Sequence, residues 1–85
     1  MEIIYSPQAC EDLIYWKKTG DLTIQRRISL LLADIMKHPY KGIGKPEPLK
    51  YQLQGKWSRR INSEHRIVYK VNGDEVWIES LKGHY

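Results

Sequence analysis

The chain has a single cysteine, Cys10, so no internal disulfide can form and no cysteine pair is available to hold zinc. A reducing, cytoplasmic compartment is the expectation. Long apolar runs are also missing: nothing approaches the roughly 18 consecutive apolar residues of a membrane span. The first residues lack the basic stretch and apolar run of a signal peptide, so no membrane partner is expected. His38, His65 and His84 are isolated from one another, without His-Glu-x-x-His spacing, and no run of aspartates could carry paired magnesium ions. These absences argue against a metal or other cofactor. Gly42-Ile43-Gly44-Lys45 could offer backbone amides to a phosphate, but Pro46 follows where a nucleotide-binding loop needs Ser or Thr. Internal repeats and low-complexity segments are absent. Acidic charge is scarce in the middle of the chain. Residues 36–70 hold nine basic groups against Glu47 and Glu64, net +7, whereas residues 1–35 come to −1 and residues 71–85 to −2.

What is present is an ordinary globular balance, 85 residues with 41% hydrophobic and 28% charged, which suits one domain spanning residues 1–85. A chain this short buries only roughly 60 to 65% of its unfolded surface. One modest core is possible, a deep internal cavity is not, and function must sit on the surface. The basic block marks part of that surface as an anion site, for nucleic acid or an acidic partner.

Glu2-Ile3-Ile4-Tyr5 reads as a short strand, and Ser6-Pro7 as an N-cap with proline at the first helical position. A helix follows, with Cys10, Leu13, Ile14 and the stem of Lys17 on one face, and Thr19-Gly20 stops it. Asp21 caps a second helix, whose stripe is Ile24, Ile28, Leu31 or Leu32, and Ile35. His38-Pro39 ends it. Beyond a Gly- and Pro-punctuated loop over 39–48, β-type segments are expected at Leu49–Leu53, Trp57–Ile61, Arg66–Val71 and Glu75–Lys82, separated by turn signals. The order β-α-α-β-β-β-β implies an α+β fold: two N-terminal helices pack on one face of a mostly antiparallel, twisted sheet. The other face is free to work. Alternation points Ile67, Tyr69 and Val71 to the core and Arg66, Val68 and Lys70 to the open face. One of Arg59 and Arg60 must join Arg66 there while its neighbour faces away, and the pattern does not say which.

Taken singly, the remaining candidates are bland. Glu47, between two prolines and surrounded by Lys41, Lys45 and Lys50, reads as a balancing charge, and His84 as part of a loose tail. Cys10 reads as a small core residue, His65 as a turn or packing residue, and Trp57 as packing.

Four motifs together say more. Gly44-Lys45-Pro46-Glu47-Pro48-Leu49-Lys50, Gly55-Lys56-Trp57-Ser58-Arg59-Arg60-Ile61, Glu64-His65-Arg66-Ile67-Val68-Tyr69 and the terminal His84-Tyr85 closely resemble, in order and over the whole chain, the YoeB/Txe group of bacterial toxins. That group lies in the RelE/ParE superfamily of type II toxin–antitoxin systems. The resemblance implies the same small α+β fold and a ribosome-dependent endoribonuclease that cuts messenger RNA in the ribosomal A site and halts translation. It further implies neutralisation by a cognate YefM/Axe-like antitoxin, repression of the operon through operator DNA bound by the toxin–antitoxin complex, and a homodimer. Carried over by motif, Glu47 is the general base, Arg66 the phosphate-binding group, His84 the general acid, and Tyr85 a base-stacking or proton-handling partner. Lys41, Lys45, Lys50, Arg59 and Arg60 are the candidate contacts to RNA, ribosome or antitoxin.

The residue types suit that chemistry. Without metal ligands, the simplest cleavage uses the RNA 2′-hydroxyl as internal nucleophile and leaves a 2′,3′-cyclic phosphate and a 5′-hydroxyl. A carboxylate takes the 2′-OH proton, an imidazole with an ordinary pKa near ~6.5 protonates the leaving oxygen, and an arginine fork holds the non-bridging oxygens. Two other readings stand beside this one: a non-catalytic module that binds ribosome or RNA and blocks translation, and a gyrase poison of the ParE type.

Overall fold

The computed structural model describes residues 1–83, in the order β1 (Glu2–Tyr5), α1 (Pro7–Thr19), α2 (Leu22–Lys37), β2 (Glu47–Pro48), a 3-10 turn (Tyr51–Leu53), β3 (Trp57–Arg60), β4 (Arg66–Asn72) and β5 (Glu75–Ser80). Local chemistry sets the helix ends. Ser6 Oγ accepts from the Ala9 N–H at 3.0 Å, and Gly20, in the left-handed region at φ 71°, closes α1 by donating to the Lys17 carbonyl. Asp21 Oδ1 accepts from the Ile24 N–H at 3.1 Å, and α2 stops before Pro39.

The sheet order is β1-β5-β4-β3-β2; β1 lies parallel to β5 and every other pair is antiparallel. Ala9 and Trp16 from α1, with Ile28, Leu31 and Ile35 from α2, pack on Ile67, Tyr69, Val76 and Ile78 of the central strands. Full burial of such side chains contributes about 1.5–3 kcal/mol each, which holds both helices on one sheet face. The α+β architecture and the α2 stripe are as the sequence implies.

Three local expectations are corrected. On α1 the buried face is Ala9, Asp12 and Trp16, while Cys10 and Ile14 are exposed. Both stripes have helical spacing, and the structure selects the one that buries the large indole. The strand expected at Leu49–Leu53 is instead β2, at Glu47–Pro48, followed by a tight turn. Tyr51 takes φ 59°, which no strand accommodates, and the Lys50 and Tyr51 carbonyls accept from the Leu53 and Gln54 N–H groups. β5 also ends earlier than expected, at Ser80, because Leu81 turns its backbone toward α1.

Candidate active site on the open sheet face

Cross-strand register decides which side chains meet. Glu47 pairs with Ser58 across β2 and β3, Ser58 with Val68, and Arg60 with Arg66 across β3 and β4. Paired residues share a face, so Glu47, Ser58, Arg60 and Arg66 all stand on the side away from the helices. Arg66 Nη1 donates to Glu47 Oε1, and lies 3.3 Å from the hydroxyl of Ser58, which is fully buried beneath the pair. The Arg66 side chain is 16% exposed and that of Glu47 53%, so the guanidinium is walled in while the carboxylate faces solvent. An ion pair this open contributes little to stability, about 0–1 kcal/mol. Its consequence is positional: a carboxylate and a forked cation are held together on an open surface.

The adjacent arginine does the opposite. Arg59 pairs in register with Ile67, points to the helix side and is 0% exposed. It donates through Nη1 to Asp34 Oδ2 and to the Ile43 carbonyl at 3.2 Å, through Nη2 to the carbonyls of His38 and of Lys41, the latter at 2.8 Å, and through Nε to Tyr69 Oη at 3.2 Å. Tyr69 Oη in turn donates to the Pro39 carbonyl at 2.6 Å. The expectation that Arg59 contacts RNA is therefore corrected: every direction of its fork is occupied inside the protein. Its partners span the loop from His38 to Ile43, which leads to Glu47. The Arg59 bond holds the Asp34 carboxyl below the usual carboxylate range, against the opposing effect of burial and with help from the Ile43 N–H. Burial pushes the Tyr69 phenol up. Gly42, at φ 119°, lies so close to Asp34 that a Cβ there would overlap the carboxylate. The Arg60 N–H donates to the Gly44 carbonyl at 2.7 Å and ties the end of this loop to β3.

A second set of contacts fixes the chain after β5. Asp12 Oδ2 accepts from the Leu81 N–H at 2.8 Å and Trp16 Nε1 donates to the Leu81 carbonyl at 2.9 Å. His65 Nδ1 accepts from the Gly83 N–H at 2.9 Å, with its ring edge-on to Trp16, and the Gly83 carbonyl accepts from the Arg66 N–H at 2.8 Å. His65 is thus a packing and turn residue. The expected general acid His84 and its neighbour Tyr85 lie outside the described residues.

Of the other predicted contacts, Arg60 is exposed beside Arg66, and Lys45 and Lys50 are exposed on the segments flanking β2. Lys41 is exposed too, but belongs to the loop stapled by Arg59, and no bond of its side chain to the Glu47–Arg66 pair occurs among the described residues. Ser58, Asp34, Asp12 and Trp16 were missed. The hydroxyl of Ser58 looks like an ordinary strand residue, and Asp34 lies on the flank of an apolar stripe. Asp12 and Trp16 carried a readable signal, an i,i+4 pair in phase with Ala9. Among the described residues no group of three or more His, Cys, Asp or Glu is placed to hold a metal, and no helix is long and apolar enough to cross a membrane.

A family model described as a YoeB-like toxin of bacterial type II toxin–antitoxin systems matches residues 5–85. The toxin YoeB of Escherichia coli K12 is 45% identical over 85 residues, covering all of both chains. Among solved structures, the YoeB dimer from Staphylococcus aureus superposes with a TM-score of 0.91 at 45% identity, over 100% of this chain and 98% of that one. A heterotetrameric YoeB–YefM toxin–antitoxin complex from the same species gives 0.88 at 46% identity, over 98% and 95%.

Proposed function

This chain belongs to the YoeB-like toxins of bacterial type II toxin–antitoxin systems, and on that premise we propose that it is a ribosome-dependent endoribonuclease that cuts messenger RNA in the ribosomal A site. The observation that carries the reading is the Glu47–Arg66 pair, set over Ser58 on the sheet face that the helices leave uncovered. A structural salt bridge has no need of that open face with Arg60 alongside. A phosphodiester site does.

In the proposed reaction Glu47 takes the proton from the ribose 2′-hydroxyl as its oxygen attacks phosphorus. The bond from phosphorus to the 5′-oxygen breaks, and His84 delivers a proton to that leaving oxygen. The products are a 2′,3′-cyclic phosphate and a 5′-hydroxyl. Arg66 holds the non-bridging oxygens where negative charge builds, and Arg60, Lys45 and Lys50 supply positive charge along the path of the message. Tyr85 stacks on a base or assists proton movement. Gly83, the residue before His84, is bonded through its carbonyl to Arg66, which supports a shared site. With so few groups, the ribosome orients the message and contributes to the rate.

The staphylococcal dimer and its YefM complex support two further parts of the proposal, a homodimer and a cognate YefM/Axe-like antitoxin that neutralises the toxin. Repression of the operon by the complex on operator DNA completes the reading.

Primer extension on a ribosome-bound message tests it. The wild-type protein gives a stop within the A-site codon, and Glu47→Gln, Arg66→Ala and His84→Ala each weaken that stop by about 10²–10⁴-fold. Intact message with arrested ribosomes would instead establish a translation-blocking module, and trapped topoisomerase on DNA a gyrase poison.

A further inference from the structure

Strand β4 continues past Arg66 on the same side of the sheet, through Val68, which is buried and next to a shift in register against β5, to the exposed Lys70, which pairs with Trp77 of β5. Lys70, Asn72, Trp77 and Glu79 line a shallow groove of about 250 Å³. Trp77 is 43% exposed, and its Nε1 donates to Glu75 Oε1 at 3.2 Å, which restrains the indole. No ion pair engages Lys70 among the described residues, whereas the Glu79 carboxylate is neutralised by Lys56 Nζ at 2.8 Å. An apolar ring face thus lies beside an available cation, and of the two carboxylates nearby Glu79 is paired with Lys56 while Glu75 is engaged by the indole N–H.

The occupant follows from the neighbours and the line of the strand. A contact between two copies of the chain needs contiguous apolar surface, but Trp77 is surrounded here by Lys70, Asn72, Glu75 and Glu79, and the apolar Ile4 that pairs with it across β1 and β5 is itself half-buried. A nucleic-acid base offers a π-face to the indole while its phosphate meets the lysine. From Arg66 to Lys70 is four strand residues, about 13 Å at ~3.3 Å each. That distance spans about two to four nucleotides, the larger number if they stack at ~3.4 Å. We propose that Trp77 and Lys70 form a second RNA subsite, in which Trp77 stacks on a message base about two to four nucleotides from the cut and Lys70 contacts its phosphate. The inference rests on the endoribonuclease reading of the Glu47–Arg66 site.

The test uses the full chain on programmed ribosomes. The toxin concentration for half-maximal cleavage is measured with messages carrying one abasic nucleotide at successive positions around the cut. Wild-type protein requires about 5- to 100-fold more toxin when the stacked base is missing, at one position in that window. Trp77→Leu shows the same loss on intact message and no additional loss on the abasic one. Trp77→Phe recovers most of the difference, and far-UV dichroism and melting confirm that each variant folds. Lys70→Ala raises the requirement at every position by a similar factor. The subsite is overturned if Trp77→Leu matches wild type on intact message, or if its loss multiplies with the abasic loss. It is also overturned if Trp77→Leu shifts the protein toward monomer in sedimentation, since the indole then serves a contact between copies. Failure of wild-type protein to cut any message overturns the endoribonuclease reading itself, and the subsite with it.

Discussion

Replacing Arg59 by lysine keeps the positive charge and most of the stem but removes the planar fork, so it measures what the fork's geometry contributes. In the native chain one guanidinium bonds Asp34, the carbonyls of His38, Lys41 and Ile43, and Tyr69 Oη. A lysine ammonium has three donors on a flexible stem and cannot meet five acceptors arranged around a plane. Some of these groups are left buried without a partner, at about 1–3 kcal/mol each. The terms are not additive, because the loop relaxes, and breaking a buried pair typically costs about 3–5 kcal/mol. An 85-residue domain holds about 4–13 kcal/mol at ~0.05–0.15 kcal/mol per residue, so the substitution removes a large part of it. Urea unfolding followed by far-UV dichroism should show that loss, and the midpoint of thermal melting should fall by about 12 °C or more. The acid side gives an independent check. Because the Arg59 bond lowers the Asp34 carboxyl in the folded state, the unfolded chain binds more protons at low pH. The pair's stabilisation is complete above the ordinary carboxylate value of ~3.9 and disappears as pH falls through the lower folded value. Asp34→Asn removes that portion of the acid dependence, and Arg59→Lys reduces it. An Arg59→Lys protein within about 1 kcal/mol of wild type, with an unchanged acid limb, would refute the assignment of Arg59 as the staple of the loop before Glu47.

Three other outcomes follow from the same geometry. Glu47→Gln should separate activity from stability, losing cleavage by orders of magnitude while its urea midpoint corresponds to a change of no more than about 1 kcal/mol for the loss of an exposed carboxylate's ion pair; a large stability loss in Glu47→Gln would make the pair structural. Gly42→Ala should destabilise by about 1–3 kcal/mol, since its Cβ meets the Asp34 carboxylate and its φ of 119° disfavours any side chain; a neutral result in chemical unfolding would contradict the close approach. Cys10, exposed on α1, should react fully with a thiol reagent in the folded state without lowering the melting temperature, whereas a reaction that waits for unfolding would return it to the core.

Features governed by neighbours a few residues apart were readable in the sequence. Ser6-Pro7 and Asp21 start the helices, Gly20 and Pro39 end them, and the α2 stripe and the Asn72-Gly73-Asp74 turn follow from local spacing and backbone preference. The placement of Ile67 and Tyr69 toward the core and Arg66 toward the open face was readable too, because strand alternation has a period of two. Tertiary structure decided the rest. On α1 the spacing pointed to the face of Cys10, Leu13 and Ile14, of which Leu13 packs on the core; a rotation of about one residue on the helix cylinder buries Ala9, Asp12 and Trp16 instead, and contact with the sheet and with Leu81 imposes it. Tyr51 looked like part of an alternating strand until its left-handed backbone placed it in a turn. The adjacent arginines carry equal charge, and only the register of β3 against β4, with Arg60 opposite Arg66 and Arg59 opposite Ile67, sends one to the open face and the other under the loop. The juxtaposition of Glu47 with Arg66 likewise depends on strands far apart in sequence, since hydrogen-bonded pairing brings residues 47, 58 and 66 onto one face.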